Sequence, residues 1–167
     1  MPGLDGARQH LRDLEQMLKD DFGLSCAQLP EHHAGVGVAV AFDRHEYALL
    51  TCPGYGNEGQ LYVTAGVYRD VARDETTVLR ACNARTQSNA AYPYFLHDAE
   101  SGWDVILQQS YPMQLVTDVP PFLEACMRGV AEAAAEARPW FAARGVSGQP
   151  YAYDDADVSR LLLRSLI

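Results

Sequence analysis

The sequence is poor in lysine. Lys19 is its only one, and no window gathers several Lys and Arg residues. With 13 basic against 22 acidic side chains the formal charge is −9. A nucleic-acid or anionic-membrane surface needs a strong local exception to that balance, and none is legible along the chain. Long apolar runs are also missing: no stretch approaches the ~18 residues of a membrane helix, and the N-terminus lacks a signal-peptide apolar core. No CxxC pair occurs. Cys26, Cys52, Cys82 and Cys126 lie far apart, as reduced core thiols of a cytoplasmic protein do, and neither a disulfide frame nor a zinc site is expected. GxSxG, HExxH, P-loop and GxGxxG patterns are absent as well, which removes the common hydrolase, zincin and nucleotide-binding signatures.

What is present is a folded chain of 167 residues, 48% hydrophobic and 10% aromatic, long enough to bury a sizeable core. A helix is expected from about Gly6 to Phe22, with Leu11, Leu14, Leu18 and Phe22 on one face and Gly23 as a left-handed cap. A loop with Pro30, His32 and His33 follows. Val36, Val38, Val40 and Phe42 alternate with Gly37, Ala39 and Ala41, which predicts a strand with one bulky face and one small one. Those small residues imply that another element, a helix by expectation, packs close against the second face. Strands over Tyr47–Cys52 and from Leu61 to Val67 come next, separated by the glycine-rich loop Pro53–Gly59.

Asp74 is the N-cap candidate of a central helix that carries Val78, Leu79 and Cys82. The helix ends near Asn89 and leads into a hairpin, in which Tyr92, Tyr94 and Leu96 turn through Asp98 and Gly102 into Trp103, Val105 and Leu107. A long helix opens at Asp118 or Val119 and carries the apolar stripe Phe122, Leu123, Cys126, Met127, Val130, Ala134 and Ala137. Pro139 is expected to kink or end it. After Gly145 a turn-rich linker leads to a short amphipathic helix that Asp157 is expected to cap, with Val158, Leu161, Leu162 and Leu166 on one face. The organisation expected is therefore a domain over 1–145 and a linker plus helix over 146–167. The element order is α-β-β-β-α-β-β-α plus the tail helix: an α+β fold in which helices pack on a mainly antiparallel sheet.

That order across residues 7–144, and locally VLRACNARTQSN followed by YPYFLHDAESGWDVIL, resembles the YbjN-like proteins and the type III secretion chaperones of the CesT type. The resemblance implies a small acidic homodimer that holds an extended peptide or protein segment along its sheet and helix surface, with no catalytic signature and no cofactor. The tail helix is a departure from that pattern and could occupy the surface where such cargo would bind.

The chemistry-bearing candidates are thin. Glu31, His32 and His33 lack a third metal ligand at helical spacing, and a solvated loop is the simpler reading. Gly54-Tyr55-Gly56 lacks the helix that a phosphate cradle needs. Asp154, Asp155 and Asp157 read as a linker and cap rather than a cation site, and Cys82 reads as a core thiol. No metal or cofactor is expected. Tyrosines crowd the sheet region, and aromatics with a polar tip are frequent where proteins meet peptides. Tyr47, Tyr62, Tyr94 and Trp103, with Leu161 and Leu162 of the tail, are therefore the partner-binding candidates. The reading is a non-enzymatic protein- or peptide-binding module that acts on neither nucleic acid nor membrane. The alternative is a small-ligand binder or an enzyme whose site has no motif.

Overall fold

A computed structural model describes residues 2–30, 35–43, 46–53, 59–88 and 92–166. In chain order the elements are α1 (Pro2–Phe22), β1 (Ser25–Gln28), β2 (Gly35–Ala41), β3 (Tyr47–Pro53), β4 (Gln60–Val71), α2 (Glu75–Ser88), β5 (Tyr94–Ala99), β6 (Gly102–Pro112), α3 (Met113–Asp118), α4 (Pro120–Ala142), β7 (Gln149–Pro150) and α5 (Asp155–Leu166). The α+β class holds. All strand pairs are antiparallel, in the order β1-β2-β3-β4-β6-β5, with β7 paired to β4 alone.

Alternation along the strands gives the sheet two unlike faces. Val36, Val38, Val40, Leu50, Leu61, Val63, Val105 and Leu107 point to the main core, where Leu11, Leu14 and Leu18 of α1 and Leu123, Met127 and Val130 of α4 meet them. The opposite face carries Gly37, Ala39, Leu49, Gly66 and Ile106, and α5 lies on it with Val158, Leu161 and Leu162. The small face expected of β2 is thus covered by a helix. A Cβ at position 37 would lie 3.3 Å from the Leu162 side chain, and one at position 66 would lie 2.3 Å from the Tyr151 ring. Only glycine leaves that ring room to lie flat on β4.

Local signals explain most boundaries. Gly23, at φ +64°, ends α1, and its amide donates to Lys19 O at 3.1 Å. Asp74 caps α2: its carboxylate accepts from the Thr77 amide at 2.9 Å. Two expectations need correcting. The cap of α5 is Asp154, which accepts from the Asp157 amide at 2.9 Å, while Asp157 sits within the first turn. Nor does Pro139 end α4, which runs on to Ala142. The Pro139 ring is exposed, and the fully buried Phe141, edge-on to Tyr94 at 5.5 Å, holds the last turn in place. Burial of such a side chain, about 1.5–3 kcal/mol, is of the size needed to offset the proline.

Strand β4 is irregular where it matters. Val67 is an extra residue between the pairs Gly66–Ile106 and Tyr68–Val105. The carbonyls of Gly66 and Val67 accept from the Arg138 guanidinium at 3.2 and 3.1 Å, and the Tyr68 hydroxyl donates to Arg138 O at 3.1 Å. Beyond this gap β7 resumes pairing at Tyr68 and Arg69. Among the described residues no helix is long and apolar enough to cross a membrane.

Candidate functional site

The second irregularity of β4 creates a charged interior beneath the tail helix. Between the pairs Tyr68–Val105 and Val71–Trp103, Arg69 and Asp70 of β4 face Asp104 alone. Asp70 has φ +57°, a left-handed conformation that aspartate tolerates better than most residues. Asp104 is fully buried and accepts from Arg160 Nε at 2.8 Å, Arg164 Nε at 3.1 Å and the Asp70 amide at 3.3 Å, with a second Arg160 bond at 2.5 Å. Arg160 also donates to Asp70 at 2.8 Å, and Ser101 donates to the same carboxylate. Arg69 lies 3.0 Å from Asp157, which accepts from the Ala152 amide at 2.8 Å.

Three carboxylates therefore meet three guanidiniums, and the tail helix is fastened to β4 and β6 by that exchange. Burial alone would raise the Asp104 pKa; hydrogen bonds from Arg160, its charge, the Asp70 amide and Arg164 outweigh burial and hold the group below the ordinary carboxylate value. His97, across from Asp104 on β5, is shifted down, first by burial and then by the Arg164 charge. The cluster has the residue types of an active site, yet its carboxylates are spent on internal donors. Its chemistry is that of a fastener.

The open chemistry lies at the sheet edge. A groove of about 460 Å³ runs between β1 and the start of α5, with Ala27, Leu29 and Pro30 on one side and Tyr153, Asp155 and Val158 on the other. The Leu29 amide donates to Gly37 O at 3.0 Å. That phase turns the backbone groups of Ala27 toward β2 and those of Cys26 and Gln28 outward. Among the described residues no hydrogen bond engages the outward groups. On the other face a smaller recess of about 140 Å³ lies between α1 and β2, lined by Arg8, Leu11, Arg12 and Val36. Gln28 is steadied there by Glu15 at 2.8 Å, and Glu15 also takes Lys19 at 2.5 Å.

The partner-binding candidates do not converge on this groove. Tyr47, Leu161 and Leu162 are 3%, 0% and 4% exposed, because the tail helix docks on its own sheet and turns them inward. Tyr62, Tyr94 and Trp103 are half-buried. Tyr62 lies on the α5 side of the sheet; Tyr94 and Trp103 pack against the main core, and Arg85 reaches the Tyr94 hydroxyl at 3.4 Å. His32, His33 and the Gly54–Glu58 part of the glycine loop lie outside the described residues. Asp154 and Asp157 are engaged as cap and ion-pair partner, and among the described residues no group of three or more His, Cys, Asp or Glu side chains could hold a metal ion. Burial pushes the Cys82 thiol up to about 12, as befits a core thiol.

Asp104 was the signal within reach. A carboxylate between Trp103 and Val105 in a strand points to the face opposite theirs, and Arg160 with Arg164 at i,i+4 is its natural counterpart.

A sheet of this order, with α1 and α4 on one face and a tail helix on the other, places the chain among α+β sandwich proteins. Solved structures of similar fold include an uncharacterized protein from Methanothermobacter thermautotrophicus. At 13% identity it covers 81% of this chain and 98% of its own, with a TM-score of 0.53. YbjN, a candidate transcription regulator from E. coli, is 18% identical and covers 87% of this chain and 94% of its own, with a TM-score of 0.51. The fold is YbjN-like. No family model matches the sequence, and no curated protein does either.

Proposed function

We propose that the chain is a non-enzymatic module that binds a protein or peptide segment in an extended conformation. The observation that carries this reading is the open edge of β1, where the outward backbone groups of Cys26 and Gln28 lie beside a groove of about 460 Å³. An unpaired edge beside a partly apolar groove is the arrangement that strand addition uses: main-chain bonds supply affinity and the groove sorts side chains. The saturated state of the Asp104 cluster supports a binding role over a catalytic one. A regulator that works through a protein partner, as YbjN is suggested to be a regulator, is compatible with the same surface. We place the protein in the cytoplasm, which its four free thiols support.

Peptide arrays probed with the full-length chain test the reading. Selected peptides are expected to lose binding to Gln28→Pro, which removes one outward amide at an edge position where proline is tolerated, and to Ser159→Trp, which fills the groove. Gln28→Ala keeps the amide and is expected to keep binding. Peptides that bind all three variants alike, or an array with no selected peptide, would remove the reading.

The expected homodimer is proposed through the other edge, β5, where Phe95 remains 43% exposed. Light scattering on Phe95→Glu is expected to show the monomer mass.

A further inference from the structure

We propose that a separate recess, between α2 and the C-terminal end of α4, binds acidic segments of a protein partner through arginines that have no carboxylate of their own. Arg73, Arg80 and Arg85 lie within one short stretch of chain, and Arg144 joins them from just beyond the end of α4. Arg80 and Arg144 line a shallow recess of about 300 Å³ whose floor is Thr77, Ala81 and Ala84. The Arg144 guanidinium lies 3.6 Å from the centre of the Trp140 ring, and that of Arg85 lies 5.4 Å from the same ring. Arg73 is tied to the next residue along, donating from Nε to Gly145 O at 2.9 Å.

Elsewhere Arg8, Arg69, Arg128, Arg160 and Arg164 each hold a carboxylate, and Arg12 and Arg138 donate to backbone carbonyls. Among the described residues no carboxylate lies within ion-pair distance of the four in this patch. Asp74, the acid near Arg80, spends both oxygens on Thr77, one on its amide and one on its hydroxyl. A chain of charge −9 thus gathers four arginines without a direct ion pair in one region, Asp74 acting on Arg80 only at a distance.

The geometry suits carboxylates. The Arg144 guanidinium lies on the indole and spends one donor on the Trp140 carbonyl at 3.1 Å, which holds it in place and leaves its other nitrogens for a planar acceptor. Arg80 and Arg144, which line the recess together with Ala81 and Ala84, each offer donors to a carboxylate, with room for the aliphatic stem between them. The acidic field of the rest of the protein opposes any polyanion, and opposes a nucleic acid, with a charge on every nucleotide, more than a segment of alternating Glu and Ala. The patch shares no residue with the β1 groove, so variants of one surface report on it alone.

The experiment is a titration of a fluorescein-labelled peptide of alternating Glu and Ala with the full-length chain, followed by anisotropy. Saturable binding that weakens as salt is raised is expected, with a loss of about tenfold or more in Arg80→Glu/Arg144→Glu and little change in Arg12→Glu. Both exposed patch positions tolerate substitution, which circular dichroism verifies. Equal binding by the double variant overturns the proposal. So does complete displacement by inorganic phosphate alone, which would make the recess a small-anion site. Tighter binding of a single-stranded RNA oligonucleotide, lost in the same double variant, would assign the patch to nucleic acid instead.

Discussion

Replacing Asp104 by Asn keeps the shape of the fastener and removes its charge. In the wild type the carboxylate receives three bonds from two guanidiniums and one from the Asp70 amide. An amide in its place offers one acceptor and turns an NH₂ toward donors. Removing one partner of a buried pair costs about 3–5 kcal/mol. Here the figure is discounted, because the Arg160 and Arg164 side chains are 25% and 23% exposed and recover some water, and Arg160 keeps Asp70. A loss of about 2–3 kcal/mol is the expected outcome. That is a large share of the roughly 5–15 kcal/mol that stabilises a domain. Urea unfolding followed by circular dichroism should show a midpoint lower by about 1–2 M at unchanged slope. Acid adds a second check. The folded Asp104 pKa is depressed, so its contribution is complete above the ordinary carboxylate value and drains away as pH falls through the folded value. Wild type and variant should therefore converge in stability on acidification. A midpoint shift equivalent to less than about 1 kcal/mol at neutral pH, or a gap that stays constant into acid, would refute the account of Asp104 as the charged anchor of α5.

Other outcomes follow from the same geometry. Gly66→Ala drives a methyl into the Tyr151 ring and should cost about 1–3 kcal/mol; Tyr151→Ala removes the two ring atoms at 2.3 Å, so the double variant should lose less in thermal melts than the two single losses added together. His97 has a folded pKa below 6.5, so its neutral form supports the fold and stability should decline as pH drops below about 6.5. An NMR titration locates that pKa, and His97→Gln should flatten the decline. A chain ending at Ser147 loses Tyr151, Val158, Leu161 and Leu162 and uncovers Tyr47, Leu49 and Ile106, so a strong rise in apolar-dye fluorescence is expected. Cys82, shifted up to about 12 and buried, should resist thiol reagents at pH 8 until the protein unfolds.

The elements with strong periodicity were legible in the sequence: α1 from its leucines, β2 from its alternation, α2 from Asp74, and the hairpin from Gly102. Short elements were not. Strand β1 is four residues without a hydrophobic pattern and exists because β2 templates it; α3 and β7 are likewise set by their neighbours. The small face of β2 announced a covering element, and α5 is that element. The tyrosine candidates lie on different faces because periodicity fixes a face but not what lies on it, and the docked tail helix turns Tyr47 inward. The fastener joins residues 34, 56 and 60 positions apart, and the arginine patch adds Arg144 to a stretch some sixty residues earlier, so no short sequence window could hold either.

The glycine and alanine residues under α5 also leave a mark that can be sought in other sequences. Gly37, Ala39 and Gly66 are tolerable on a sheet only while something fills the space they vacate. Proteins of this architecture that lack a docked tail helix have no use for such a depression and should carry larger or polar side chains at the equivalent places. Those that keep the three small residues should keep the helix too, along with an aspartate on the sheet for its arginines. Three strand positions would then sort the fold into tailed and tailless branches before any coordinates are known.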